Sequence, residues 1–150
     1  MKRMQPKDQT DLFQTYCREH GLRVTPQRIA IYKALCDSGD HPNAEQVHSR
    51  VKRRFPTISL NTVNETLLTL SRIGLVDVVE GFGGPRRYDP DVATHHHVHC
   101  TNCGKILDFV NESFNHIKPP PQIARGFEIT CARVVISGIC PDCRKKKESK

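Results

Sequence analysis

Residues 59–74, SLNTVNETLLTLSRIG, contain the pattern that decides the fold of the first half of the chain. Ser59 is a typical residue before a helix, and Gly74 is a typical residue after one. Between them the apolar residues recur at intervals of three or four, at Leu60, Val63, Leu67, Leu70 and Ile73. The stretch is therefore predicted to be an amphipathic helix that buries one face.

The sequence before this helix predicts three others. Residues 11–19 carry apolar side chains on one helical face and are followed by Gly21. Thr25-Pro26 combines a capping residue with a proline at the first helical position, so a second helix should begin there. Asn43 can cap a third helix, which must end before Pro56. This order of helices indicates a helix-turn-helix.

The residues that follow predict a hairpin. Residues 75–79 are mostly β-branched and apolar, and residues 81–85 are rich in turn-forming residues. Residues 86–89 can then pair with the first segment as a second strand. Helices followed by a basic hairpin form a winged helix, in which the fourth helix enters the major groove and the hairpin contacts backbone or minor groove. The alternative is a helical module that never meets DNA. We predict a winged-helix DNA-binding domain over residues 1–84 and a hinge over residues 85–92.

The composition changes near Pro90, and residues 93–150 are predicted to form a small α/β metal-binding dimerisation domain. Its expected elements are strands at 98–100 and 105–110, an interrupted helix within 113–124, and a long strand at 127–139. Because one helix cannot cover both faces of such a sheet, a homodimer is expected. The fold class is α+β.

Two Cys-x-x-Cys pairs are the strongest chemical signal in the chain. Four thiolates can surround a zinc ion tetrahedrally and leave no open position, which is typical of a structural site. The alternative is a redox dithiol. The predicted structural Zn²⁺ ligands are Cys100, Cys103, Cys140 and Cys143. The other cysteines, Cys17, Cys36 and Cys131, are expected to be small buried hydrophobes.

A histidine run at residues 95–99 is the second chemical signal. Residues two apart on an extended chain point the same way, so His95, His97 and His99 should share one face and His96 the other. Imidazoles combined with nearby carboxylates suit iron or manganese as well as zinc. The alternative is a histidine-rich loop that binds nothing.

Charge and hydropathy restrict the environment of the protein. Lys and Arg outnumber Asp and Glu by 23 to 16, which suits a polyanionic partner such as nucleic acid. The sequence contains no apolar stretch of about 18 residues and no apolar core of a secretory signal at its start. An odd number of cysteines without an export signal fits a reducing compartment. A cytoplasmic location without membrane association is therefore expected.

Several motifs together resemble the ferric uptake regulator (Fur) superfamily over about residues 11–143. They are Thr25-Pro26-Gln27-Arg28, His41-Pro42, Ile58-Ser59 with Thr62-Val63, Arg87-Tyr88-Asp89, and the cluster from His95 through Cys100, Cys103 and Asp108. The resemblance implies a winged-helix domain, a hinge, and a dimerisation domain with a regulatory metal between them. It implies a transcription regulator and no enzymatic activity.

Within the superfamily, the regulatory ligands of the peroxide-sensing PerR branch match five positions: His41, Asp89, His95, His97 and Asp108. Iron-sensing members usually carry Glu where this chain has Asp89. The resemblance implies a repressor that binds double-stranded operator DNA as a homodimer loaded with Fe²⁺ or Mn²⁺. Iron with peroxide would oxidise His41 or His95, whereas manganese does not support that reaction. Oxidation or metal loss would release the DNA.

Other functions remain as alternatives. An iron-responsive (Fur) or zinc-responsive (Zur) uptake regulator is the nearest. A metal-dependent hydrolase would need an open coordination position and a general base, and no HExxH-type spacing is present. A zinc-ribbon module without specific DNA binding would show salt-sensitive binding with no sequence preference.

The candidate DNA contacts include two departures from the superfamily. Asn64 stands where a tyrosine is usual, and Glu65 stands where arginine or asparagine is common. Asn64 can pair with adenine, and Glu65 can accept from cytosine or repel phosphate. The alternative is that both are exposed helix positions with no role in readout. The full candidate set is Arg28, Ser59, Asn61, Thr62, Asn64, Glu65 and Arg86.

Overall fold

The computed structural model describes residues 6–79 and 84–148. Contacts divide the chain into two compact units, with the boundary between Val92 and Ala93. The predicted turn at residues 81–85 lies largely outside the described residues. None of the helices in the described ranges is both long and apolar enough to cross a membrane.

The first unit is a winged helix, as predicted. Its helices are α1 (Pro6–Glu19), α2 (Pro26–Cys36), α3 (Ala44–Val51) and α4 (Leu60–Arg72), followed by strands β1 (Asp77–Val79) and β2 (Arg87–Asp89). The strands pair antiparallel, with Val78 opposite Tyr88. Helix α1 begins five residues before the apolar pattern that predicted it.

Side-chain caps fix where three of these helices begin. The side chain of Thr25 accepts from the Arg28 N–H and that of Ser59 from the Thr62 N–H, while Asn43 and Gln46 form a reciprocal capping box. The apolar faces of the helices then meet in one core. Among its fully buried side chains are Phe13, Ile31, Tyr32, Leu35, Val47, Val63, Leu67 and Tyr88.

The second unit contains a three-stranded sheet and short helices. Strands β3 (His96–Cys100) and β4 (Ile106–Phe109) pair antiparallel, and β5 (Val135–Gly138) pairs parallel to β3, so the order is β4-β3-β5. The helices are α5 (Glu112–Asn115), α6 (Pro121–Ala124) and α7 (Pro141–Glu148). The expected α+β class is confirmed.

The structure corrects two expectations for the second unit. The strand predicted at 127–139 is limited to β5, because residues 127–134 form no strand ladder and Phe127 is 73% exposed. Cys131 is exposed, whereas a buried position was expected. The interruption predicted for the helix within 113–124 is confirmed, because α5 and α6 are single turns separated by prolines that cannot continue a helix.

Candidate metal centres and DNA-binding surface

The four paired cysteines meet at one end of the sheet in the second unit. Cys100 ends β3, Cys103 lies in the turn towards β4, and Cys140 and Cys143 bracket the start of α7. All four sulfurs lie within 4.8 Å of one another, and the Cys103 and Cys140 sulfurs are 3.7 Å apart. Tetrahedral coordination with Zn–S bonds of about 2.3 Å needs sulfurs roughly 3.8 Å apart. The arrangement therefore fits a structural zinc ion.

Backbone donors favour the thiolate form that zinc requires. The Cys140 N–H donates to the Cys100 sulfur at 3.3 Å. Backbone hydrogen bonds, first from Cys140 and then from Cys103, lower the pKa of Cys100 to about 6. A thiolate is thus available at neutral pH, and four sulfur ligands leave no position for a substrate.

A histidine–carboxylate cluster lies on one face of the same sheet. The Nε2 atoms of His95 and His97 are 3.0 Å apart, and His97 Nε2 is 3.5 Å from Asp108 Oδ1 on the paired strand. His95 Nδ1 lies 2.7 Å from the Ala93 carbonyl. Donation from Nδ1 to that carbonyl leaves Nε2 with its lone pair facing His97, which is the arrangement of a metal ligand. His99 is not among the clustered ligand atoms.

His96 points away from this cluster and has a structural environment. It is fully buried, and its ring contacts Phe109 and Phe114. Its Nδ1 accepts from the Val134 N–H at 3.3 Å, and its Nε2 lies 3.1 Å from Asn115 Oδ1. The opposite orientation of His96, predicted from the period of a strand, is therefore confirmed.

The first unit contributes a second pair of candidate ligands, His41 and Asp89. His41 Nε2 and Asp89 Oδ2 lie 3.2 Å apart, and both side chains are buried. The Asp91 N–H donates to the other oxygen of Asp89 at 2.8 Å and so orients the carboxylate. The pair fits a metal that accepts mixed nitrogen and oxygen ligands.

Arg87 holds the loop that carries His41, a role that the sequence did not predict. His41 has a left-handed backbone with φ of 48°. Arg87 donates from Nε to the His41 carbonyl, and from Nη2 to the Asp40 carbonyl at 3.0 Å. The Tyr88 N–H donates to the Pro42 carbonyl at 3.1 Å. The motif Arg87-Tyr88-Asp89 was visible in the sequence, but its action on a loop 46 residues earlier was not.

The predicted DNA contacts fall into four environments. Ser59 and Thr62 bond to each other at the N-terminus of α4, with their hydroxyl oxygens 2.8 Å apart. Arg28 donates to the Arg23 carbonyl at 2.7 Å, at the start of α2. Glu65 is exposed on α4. The remaining three, Asn61, Asn64 and Arg86, line one groove of about 400 Å³ together with Tyr88.

A winged helix in the same chain as a four-cysteine cluster and further buried histidines and a carboxylate that could bind metal is typical of a metal-responsive transcription regulator. The chain belongs to the ferric uptake regulator family, whose model matches residues 19–137. This confirms the resemblance predicted from the motifs. Members of the family regulate transcription and are not enzymes.

Three relatives place the chain within this family. It is 35% identical over 129 residues to a peroxide-responsive repressor PerR of Staphylococcus aureus, covering 86% of this chain and 87% of that one. The solved Campylobacter jejuni peroxide stress regulator is 27% identical with a TM-score of 0.63, covering 89% and 98%. The Pseudomonas aeruginosa ferric uptake regulator, solved with manganese, is 27% identical with a TM-score of 0.66, covering 85% and 97%.

Proposed function

We propose that this protein is a peroxide-sensing, metal-dependent repressor that binds operator DNA as a homodimer. The observation that carries the proposal is the buried contact between His41 and Asp89, whose Nε2 and Oδ2 atoms lie 3.2 Å apart. The carboxylate in this contact is an aspartate, whereas iron-sensing members usually carry glutamate there. The 35% identity of the chain to a peroxide-responsive repressor supports the same assignment. The protein would act in the cytoplasm, where its DNA lies.

We assign the structural Zn²⁺ to Cys100, Cys103, Cys140 and Cys143. The close sulfurs and the lowered pKa of Cys100 support this assignment. The ion would cross-link the end of β3 to the start of α7. Its binding energy would add directly to the folding of a small unit.

We assign a second, regulatory ion to His41 and Asp89 of the first unit and to His95, His97 and Asp108 of the second. Three imidazoles and two carboxylates suit Fe²⁺ or Mn²⁺. Bound Fe²⁺ would promote the transfer of one peroxide oxygen to the ring of His41 or His95, with the other oxygen released as water, whereas Mn²⁺ would not support that reaction. The imidazoles would therefore serve both as metal ligands and as the groups that peroxide modifies.

Shared ligation would couple the metal to DNA binding. One ion held by both units would fix the winged helix relative to the dimerisation unit, and a dimer fixed in this way can meet two half-sites on one duplex. Losing one ligand would release the hinge, which we place where β2 ends, within residues 85–92. The ion shifts the population towards the closed form only to the extent that it binds this form more tightly.

A regulator of iron uptake is the second candidate, because the Pseudomonas aeruginosa ferric uptake regulator is 27% identical over most of the chain. Such a protein would respond to occupancy of the same ligands and would keep its histidines intact. The two functions therefore differ in covalent chemistry at His41 and His95.

Mass spectrometry of metal-loaded protein distinguishes them. Zinc-replete protein is loaded anaerobically with Fe²⁺ or, as a control, with Mn²⁺, and is treated briefly with peroxide. We expect one added oxygen atom on His41 or His95 with iron only, and matching loss of DNA binding in the same sample. His96 is an internal control, because its ring is buried on the opposite face. Unmodified histidines in a demonstrably iron-loaded sample would favour the iron-level regulator.

A further inference from the structure

We propose that Asn64 selects guanine in the operator and that Tyr88 positions its amide for this task. The inference rests on the proposed function, because it requires duplex DNA against α4. It concerns a departure of this chain from its family, since a tyrosine is usual at the position of Asn64. Asn64 is the specificity-determining residue, and Tyr88 is a positioning residue that acts through it.

The geometry brings the wing strand to the recognition helix. Asn64 lies on α4 and is half-buried, whereas Tyr88 lies on β2 and is fully buried. The Tyr88 hydroxyl donates to Asn64 Oδ1 at 3.4 Å. Both residues line the same groove as Asn61 and Arg86. The side chain that faces DNA is therefore held from the strand as well as from its own helix.

The direction of this hydrogen bond follows from the chemistry of its two groups. An amide oxygen only accepts, so the Tyr88 hydroxyl donates its proton to Asn64 Oδ1. Burial raises the pKa of Tyr88, so the hydroxyl keeps this proton. The bond directs Oδ1 towards β2 and therefore assigns it to the protein side of the amide.

This orientation changes which base Asn64 can read. Free asparagine reads adenine with two bonds, because Oδ1 accepts from the adenine amino group while Nδ2 donates to N7. An amide oxygen can accept two hydrogen bonds, but here the bond to Tyr88 turns Oδ1 towards β2 and away from the bases, so that the two Nδ2 protons are left for the groove. Guanine offers two acceptors, N7 and O6, to these protons. Adenine offers only N7 as an acceptor and places its amino group, a second donor, beside the amide donors. Guanine is therefore favoured over adenine.

Glu65 supports a G·C pair beside Asn64. It follows Asn64 directly on α4, and its side chain is exposed. A carboxylate only accepts, and in the major groove cytosine offers an amino donor. The negative charge of the carboxylate disfavours close phosphate contact. The operator should thus contain G·C pairs where Asn64 and Glu65 meet the base edges.

The test compares wild type with Tyr88→Phe, which removes only the hydroxyl. Zinc-replete, Mn²⁺-loaded proteins select from a randomised duplex library, and the selected guanine is then replaced by adenine in competition assays. We expect the replacement to weaken wild-type binding roughly ten-fold, and Tyr88→Phe binding less than about two-fold. Asn64→Ala should lose the same discrimination. Tyr32→Phe is the matched control, because it removes another buried hydroxyl from this unit and should retain the wild-type preference.

The possible results separate the inference from the proposed function. Adenine selected by wild type at this position, or an unchanged preference in Tyr88→Phe, would overturn the inference and leave a sequence-specific repressor. A uniform loss of affinity for all duplexes in Tyr88→Phe, with a lower melting temperature, would assign Tyr88 a purely structural role and overturn it as well. Absence of any metal-dependent consensus in wild type would refute the proposed function itself.

Discussion

At the scale of single residues, the environment of each cysteine decides what its sulfur can do. Four sulfurs are gathered within ligand distance, while Cys17 is fully buried in the core and Cys131 is exposed. Cys36 is the remaining case, since it is half-buried and packs against the same core as Cys17. The same residue type thus occurs as candidate ligand, core residue and surface residue in one chain.

Cys36 should make the protein sensitive to alkali. Burial raises the pKa of its thiol from 9.0 to about 11. The folded state keeps this proton longer, so its contribution is complete below pH 9 and is lost as pH rises through about 11. Between pH 8 and 10.5 the free energy of unfolding should fall by roughly 2 kcal/mol more in wild type than in Cys36→Ala. Urea unfolding of zinc-replete protein measures the free energy of unfolding at each pH. Equal pH dependence in both proteins would contradict the raised pKa of Cys36.

At the scale of elements, the N-terminal cap of α3 adjoins the loop that carries the candidate ligand His41. The cap is the capping box of Asn43 and Gln46, and Asn43 lies two residues after His41. Asn43 also forms an isolated bridge with Arg87, the residue that holds the His41 carbonyl. The start of α3 therefore stabilises the loop that carries a candidate ligand.

Replacing this cap should have a measurable effect on stability. Asn43→Ala removes one half of the capping box and should lower the free energy of unfolding by about 1 kcal/mol. Ser49→Ala is a suitable control, because Ser49 is exposed within the same helix and alanine has the higher helix propensity. Urea denaturation gives both values. Equal stability of Asn43→Ala and Ser49→Ala would show that the cap contributes nothing.

Elements whose signals are local could be predicted from the sequence, and those that depend on distant partners could not. Ser59, Asn43 and Thr25 predicted the starts of three helices, since a cap acts within three residues. The alternation at 127–139 resembled a strand, but a strand also needs a neighbouring chain, and only Val135–Gly138 has one. The cysteine and histidine spacings predicted both clusters of the second unit. The actions of Arg87 and Tyr88 were missed because their partners lie 46 and 24 residues away.

At the scale of the whole molecule, the two units differ in what stabilises them. The large core cluster belongs entirely to the first unit. Among the described residues of the second unit, the buried hydrophobic ones are Cys100, Ile106 and Cys143, two of which are candidate zinc ligands. Many of its larger apolar side chains are exposed, including Leu107, Ile123, Phe127 and Ile129. This composition supports the proposals that zinc and a second copy complete the unit.

Loss of zinc should therefore unfold the second unit selectively. Cys103→Ser, or chelation of wild type, should reduce amide protection in residues 93–148 by more than about 3 kcal/mol. Protection in α2, α3 and α4 should persist, because their core includes none of the four clustered cysteines. Cys131→Ser is the control, since Cys131 lies outside the cluster. Hydrogen exchange followed by mass spectrometry separates the regions, and uniform loss of protection across both would refute independent stabilisation.

The left-handed backbone of His41 places stability and function in opposition at one position. Histidine tolerates this conformation better than most residues, yet glycine or asparagine adopts it more readily. Stability alone would therefore not favour histidine at this position. The histidine at this position fits its proposed role as a metal ligand, and a library designed only for stability would discard a residue on which the proposed response depends.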